Sequence, residues 1–448
     1  MPQCTLLLTF CIFVMLTASQ ARAQSIAHDP GPRGGPAGAG GILPGLSTGQ
    51  IDVFNSGRTD FEESETIGTG LGPRFNLDSC GGCHSQPATG GSSSAVNPQV
   101  SVATAFGARN VVPSFIRPDG PVREARFKYK ADGTRDGGVH ALFVVSGRHD
   151  DTGDATGCTI GQDDFDGNLT RNNVVFRIPT PVFGGGLIEL IPDRAIVANQ
   201  RAAPAVKALL GITGRPNRNG NDGTITRFGW KAQNKSLLLF AGEAYNVEQG
   251  VTNELFQNER DESASCPLVT MPNDVSNLEA AGAAEVLSSI QKFALFMTFL
   301  APPQPSTDTP GGTASIGRGR QLFSAIGCAL CHTPMLTTGP SATGALDRQM
   351  ANLFSDLLLH NMGAGLADDV LQGGAGPDEF RTAPLWGLGQ RLFFMHDGRT
   401  RDLVEAIRAH RSAATLRYPA SEANLVVDRF RGLGEAQKQD VLNFLRSL

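Results

Sequence analysis

The 448-residue sequence is sparing with charge: Asp, Glu, Lys and Arg make up 18% of it, and acidic residues outnumber basic ones, 43 to 38. A chain with that balance is a poor nucleic-acid binder, and no nucleic-acid partner is expected. Beyond its first two dozen residues it has no apolar run long and uncharged enough for a membrane helix, so no membrane span is expected. Cysteine and histidine are also scarce, eight of each, which keeps the list of candidate metal ligands short. What the chain does have is 40% hydrophobic residues, 54 glycines and 27 prolines. That is material for two or three domains with proper cores, joined by long ordered loops rather than drawn into one helical bundle.

The apolar stretch Leu6 to Leu16, followed by Ala21-Arg22-Ala23 before Gln24, reads as an export signal with a small-x-small cleavage site over residues 1–23. No Lys or Arg precedes the apolar core. A periplasmic mature chain is therefore expected, starting near Gln24. Cleavage takes Cys4 and Cys11 away. Four of the cysteines that remain fall in two copies of one pattern, Cys80-Gly81-Gly82-Cys83-His84 and Cys328-Ala329-Leu330-Cys331-His332. Two cysteines three apart can each bond a haem vinyl group, and the following histidine can bind the iron from the proximal side. Two covalent c-type haems are the reading. A four-cysteine zinc site is the alternative, disfavoured by the distance between the pairs and the histidine after each. Cys158 and Cys266 are left over, and an oxidising compartment favours a disulfide between them.

Along the chain, residues 24–50 are rich in Gly, Pro and Ala and read as a flexible arm. Residues 51–300 are expected to form an N-terminal haem domain carrying a β-containing insertion at about 100–270, where Val139 to Ser146, Asn173 to Pro179 and Gly223 to Lys231 look like strands. A helix is expected from Asn277 to Leu300, with Leu278, Ala281, Val286, Ile290, Phe293 and Met297 on its apolar face. The Pro/Gly-rich tract at 301–315 reads as an interdomain linker. Residues 316–448 are expected to form a compact helical haem domain whose first and last helices pack together, as in small cytochromes c. The fold class is thus mixed: two cytochrome c-like helical haem domains, the first with a loop-rich, β-containing insertion.

What fills the second axial position of each iron decides between electron transfer and reaction with oxygen species. In Arg401 to His410, Leu403, Ala406, Ile407 and His410 recur at helical spacing, which turns the His410 imidazole to the buried side as a distal ligand for the C-terminal haem. Met395 is the rival. For the N-terminal haem no histidine occurs between His84 and His140.

The segment Phe380 to Arg399, with Met395-His396-Asp397-Gly398 at its end, and the following helix to His410 resemble the C-terminal haem domain of bacterial dihaem cytochrome c peroxidases. Closer still are their relatives known as dihaem oxidoreductases or thiol oxidoreductases. The resemblance extends over Gly137 to His140, Phe176 to Phe183 and Gly250 to Phe256. It implies a haem-dependent, peroxidase-like oxidoreductase fed by a small soluble cytochrome or copper protein. In the peroxidases, the position fourteen after the residue matching His396 is usually a methionine ligand, and here it is His410, which implies a lower potential. The N-terminal haem would then be the reactive one. Its distal side is either open or served by His140 or His149, with His140 preferred, and Glu124 or Asp60 is the acid/base partner. By the same resemblance Trp386 is a candidate electron relay, and Arg391 and Arg399 are candidate propionate partners. Relatives carry an interdomain calcium, but Arg391-Leu392-Phe393 replaces the threonine and proline expected there, which leaves calcium open. Once four cysteines hold haem and two form a bridge, no thiol remains for thiol chemistry. A non-catalytic bis-histidine electron carrier with both irons six-coordinate, or a dihaem oxidase of another substrate, is the competing function.

Overall fold

The computed structural model describes residues 26–258, 266 and 269–448; the expected export signal lies outside them. Helix α1, Thr48–Glu62, starts at a capping box in which the Ser47 hydroxyl accepts from the Gln50 amide and the Gln50 side chain accepts from the Ser47 amide. Its buried residues Phe54, Gly57 and Phe61 fall on one face. A three-stranded antiparallel sheet follows, with β1 (Glu124–Phe127) between β2 (Val139–His140) and β3 (Val174–Arg177). Alternation along β1 puts Glu124 and Arg126 on one face and the buried Ala125 and Phe127 on the other. Helix α2, Leu237–Gln249, is capped by Ser236 and stopped by Gly250, which has a φ of 76°.

Helix α3, Ser289–Phe299, packs against α1. Gly57 allows the approach, because a Cβ there would lie 2.4 Å from the Lys292 carbonyl oxygen, and Phe61 and Phe296 meet with ring centres 4.9 Å apart. The expected helix from Asn277 to Leu300 is thus shorter than its apolar pattern suggested. The Gln291 side chain accepts from the Ser288 amide at 3.3 Å where the helix restarts, only one short turn, Ala283–Val286, precedes it, and Leu278 is 84% exposed. The expected strand at Val139 to Ser146 is also divided: Val139–His140 pairs with β1, while Phe143–Val144 pairs with Arg74–Phe75.

The C-terminal part contains helices α4 (Gly312–Ile326), α5 (Leu403–Ala409) and α6 (Glu435–Ser447), with a further helix, Asn424–Arg431, before the last and short paired strands between α4 and α5. Helices α4 and α6 cross as expected, in contact at Gly319, where a Cβ would stand 1.9 Å from the Asp440 carbonyl oxygen. Gly327, with a φ of 107°, ends α4 directly before Cys328. Cys158 and Cys266 are bridged, with Cα atoms 4.8 Å apart. Among the described residues no helix is long and apolar enough to cross a membrane.

Two expectations about organisation fail. Residues 26–43 are not a free arm. The Ala27 amide donates to Glu435 and the Arg33 amide to the Gly389 carbonyl, Asp29 pairs with Arg446, and Leu43 donates to Phe299. Nor does the 301–315 tract separate two cores. Ala301, Gln304 and Ser306 donate to Gly41, Gly38 and Ser447, and one hydrophobic core joins Phe54 and Phe296 to Leu353, Leu357 and Trp386. Glycine and proline, read as signs of mobility, here allow an extended strap whose amides find fixed partners.

Candidate functional site

Each Cys-x-x-Cys-His turn opens onto its own cavity. The first, with about 1180 Å³ of protein-free space, is lined by Cys80, Cys83 and His84, and the second, with about 1440 Å³, by Cys328, Cys331 and His332. The four cysteines are therefore divided between two cavities and cannot form one zinc site.

In the second cavity the His332 Nδ1–H donates to the Phe354 carbonyl at 3.1 Å and the His410 Nδ1–H to the Ala406 carbonyl at 2.7 Å. That leaves Nε2 of each ring free as a ligand atom. Burial pushes His332 down to about 4, with His410 adding to the effect, and burial lowers His410 as well, so both rings are neutral and ligand-competent at pH 7. The ring centres are 6.5 Å apart. Two imidazoles facing one ion across metal–nitrogen bonds of roughly 2.0 Å would place their centres about 6 Å apart. Met395 also lines this cavity.

Arg381 and Arg391 line the same cavity, both buried, with no carboxylate in ion-pair reach among the described residues. Burial lowers each to about 10, and their mutual repulsion contributes at Arg381. Unpaired buried guanidinium groups call for an anion, and two haem propionates would supply it. Arg399 is instead held by Asp397 at 2.7 Å. His360, given no role by the sequence, is an imidazolium between Asp356 at 2.9 Å and Glu422 at 2.8 Å. Cys331, Asp356 and His360 lie within 4.8 Å of one another, but the sulfur of that trio belongs to the Cys-x-x-Cys-His motif.

In the first cavity the His84 Nδ1–H donates to the Gly91 carbonyl at 2.9 Å, and burial lowers its pKa, so Nε2 is again free. Burial pushes Cys80 up to about 12 and, with nearby carboxylates, Cys83 well above its usual range; these are unionised thiols. The Nε atoms of Arg123 and Arg177, which also line the cavity, are buried without a partner, again a seat for an anion. No second histidine lines this cavity. His140, the preferred distal ligand from sequence, has both ring nitrogens taken, by Asp163 at 2.8 Å and Asp136 at 3.1 Å, and its ring stacks on Phe127 at 3.7 Å. It lies outside the cavity because β2 turns it toward the other face of the sheet. His149 is exposed, and Asp60 is paired with Lys292 at 3.0 Å. Glu124 does line the cavity, where it accepts from Arg126 Nε at 2.6 Å.

Besides the buried arginines, sequence reasoning missed several other lining residues. Trp230 lines both cavities, its Nε1–H donating to the Ile178 carbonyl at 2.9 Å and its ring meeting His396 edge-on with centres 6.4 Å apart. Trp386, the expected relay, is buried against Gly184 and lines neither. Glu248 and Met297 line the first cavity from α2 and α3. Only helical spacing from Ala241 and Tyr245, which face the same space, could have pointed to Glu248.

Residues 123–448 match the family described as "Di-haem oxidoreductase, putative peroxidase"; the first Cys-x-x-Cys-His motif lies upstream of the matched region. No curated protein matches the sequence. Among solved structures, the chain is similar to hydrazine synthase of Kuenenia stuttgartiensis pressurised with xenon, at 12% identity and a TM-score of 0.36, covering 98% of this chain and 100% of the other. It is also similar to a MauG-like protein associated with microbial copper homeostasis, at 17% identity and a TM-score of 0.28, covering 60% and 89%. Likenesses at that level carry no functional argument.

Proposed function

Since the chain belongs to the di-haem oxidoreductase family, we propose that it is a periplasmic peroxidase in which electrons enter at the C-terminal haem and a peroxide is reduced at the N-terminal one. The observation that carries the reading is the asymmetry of the two cavities: one has a second histidine facing the first across a ligand-sized gap, and the other has none. A closed iron suits electron transfer, and an iron with a free position can bind substrate.

Cys80, Cys83, Cys328 and Cys331 would attach the haems, His84 and His332 would be the proximal ligands, and His410 the distal ligand of the second haem. When bound, the haems supply the one-electron steps that no side chain of this protein can. Glu124, held by Arg126, is placed to take or give the protons of peroxide reduction. Arg381 and Arg391 would balance the propionates of the second haem, and Arg123 one of the first, Arg177 being already paired with Asp368. Trp230 is the side chain shared by the two sites. The natural donor would be a small soluble redox protein. Calcium has no role in this reading.

Mixing the protein with hydrogen peroxide in the half-reduced state in a stopped-flow spectrometer should change the absorption of one haem rapidly and leave the other as a later electron source. If no redox state reacts, the proposal fails. Met297 favours the competing carrier reading, because its thioether could close the first iron; the absence of any high-spin haem in the resting and half-reduced protein would support that reading instead. A Trp230→Phe substitution should slow electron transfer between the haems while leaving both resting spectra unchanged. Flash photolysis of the carbon monoxide complex in the half-reduced protein measures that rate.

A further inference from the structure

Glu124 does not face the first cavity alone. Glu248, seven residues beyond Ala241 on α2, comes to the same wall, with its carboxyl group beside that of Glu124. Two buried carboxylates side by side only repel, so the arrangement calls for a proton on one of them. The surroundings fit one negative charge. Arg126 gives its Nε–H to Glu124 at 2.6 Å and its Nη1–H to the Gly137 carbonyl at 2.9 Å. Asn76 Nδ2 donates to Glu248 Oε2 at 2.8 Å. Arg177, across the register from Glu124 on β3, is turned to Asp368 at 2.6 Å. The other titratable groups facing the pair are the Cys80 and Cys83 thiols and, beyond Arg126, Glu243.

We propose that Glu124 and Glu248 hold one proton between them, and that this pair, rather than Glu124 alone, is the acid and base of the reactive cavity, with Glu248 as the residue that carries the proton. The directions of titration agree. Burial opposes ionisation of both, but at Glu124 the charges of Arg126 and Arg177 and the neighbouring Glu248 carboxyl together outweigh it and keep that group below its ordinary range. At Glu248, burial and the charge of Glu124 together raise the pKa well above it. The chemistry rests on the peroxide reading above. The pair takes the proton of the oxygen that binds and returns one to the other oxygen as the O–O bond breaks, so that oxygen departs as water with the bonding pair. The oxygen left behind departs as the second water after two electrons from the donor protein and two protons from solvent reach it. The pair ends with the single proton it began with.

Infrared difference spectra of the resting haem-loaded protein test the sharing without any turnover. A lone carboxylate beside Arg126 is ionised. Wild type minus Glu124→Gln and wild type minus Glu248→Gln should therefore each show the loss of one and the same protonated-carboxyl C=O band. Either substitution should also slow the reaction with peroxide by at least about 100-fold and change its pH profile, with the haem spectra intact. If neither variant loses a protonated-carboxyl band, or if Glu124→Gln keeps the band that Glu248→Gln loses, the shared proton is disproved. Should one variant fail to fold, the other still decides. A band that behaves as expected in a protein inert to peroxide would refute the peroxidase reading and leave the pair; a peroxide-reactive protein without the band would refute only the pair.

Discussion

Replacing His410 by alanine should open the second iron and let the fully reduced protein bind one more equivalent of carbon monoxide than the wild type does. In the folded chain His410 sits at the end of α5, which begins at Asp402, whose carboxylate caps the Glu405 amide. Its half-buried ring is fixed by the Ala406 carbonyl and faces His332 across 6.5 Å. Its loss leaves a gap lined by Leu403, Ala406, Ile407 and Val427, which cannot bind iron. Free imidazole should refill the gap and restore the low-spin spectrum. His410→Met should keep the iron six-coordinate and raise that haem's potential, since a thioether favours the reduced state relative to a second imidazole. The other haem's signals should not move in either variant. Unchanged carbon monoxide stoichiometry in His410→Ala would mean that Met395, which lines the same cavity, holds the position instead.

Asp29→Ala should destabilise the protein by about 3–5 kcal/mol, the cost of leaving a buried charge without its partner. The Arg446 side chain has no solvent exposure. Asp29 takes its Nε–H and an Nη2–H at 2.7 Å each, while Nη1 donates to the Arg391 carbonyl at 2.9 Å. Burial works against the Asp29 charge, but Arg446 and the amides of Gly31 and Leu403 outweigh it and keep the carboxyl below its ordinary range. The contribution is thus present at neutral pH and is lost as pH falls through the lowered folded pKa. Urea unfolding of wild type and variant at pH 7 and at acid pH measures both effects; the gap between the two proteins should narrow in acid. An unchanged midpoint at pH 7 would show that the strap contributes no stability.

How much of this could be read from the sequence depends on how local each signal is. The two Cys-x-x-Cys-His turns, the α5 periodicity that turns His410 inward and the terminal α6 helix are each written within about a dozen residues, and in the structure the turns open onto cavities and the two helices form where they were expected. The disulfide was legible by a different route, from the compartment and from the two cysteines left over. Trp230, Glu248 and Arg381 were not legible, because each enters its cavity through a packing relation that no spacing rule encodes. His140 misled for a related reason. Its strand-like run was real, but period 2 alone does not say which face of a two-residue strand looks at a haem cavity, and Asp136 and Asp163 claim the ring from outside the run. The Gly- and Pro-rich segments were misread because composition reports the freedom of a chain and not the carbonyl groups waiting to hold it.

Trp230 stands far upstream of the second motif in the chain, yet it forms part of the second cavity, as does Ile212. The second cavity is therefore not a removable module: a fragment starting near residue 316 would have its cysteines and both histidines but lack two of the side chains that line it. In the proposed reading, a macrocycle attached to Cys328 and Cys331 would thus be held by side chains from two distant stretches of the chain, Ile212 and Trp230 as well as the residues around the second motif.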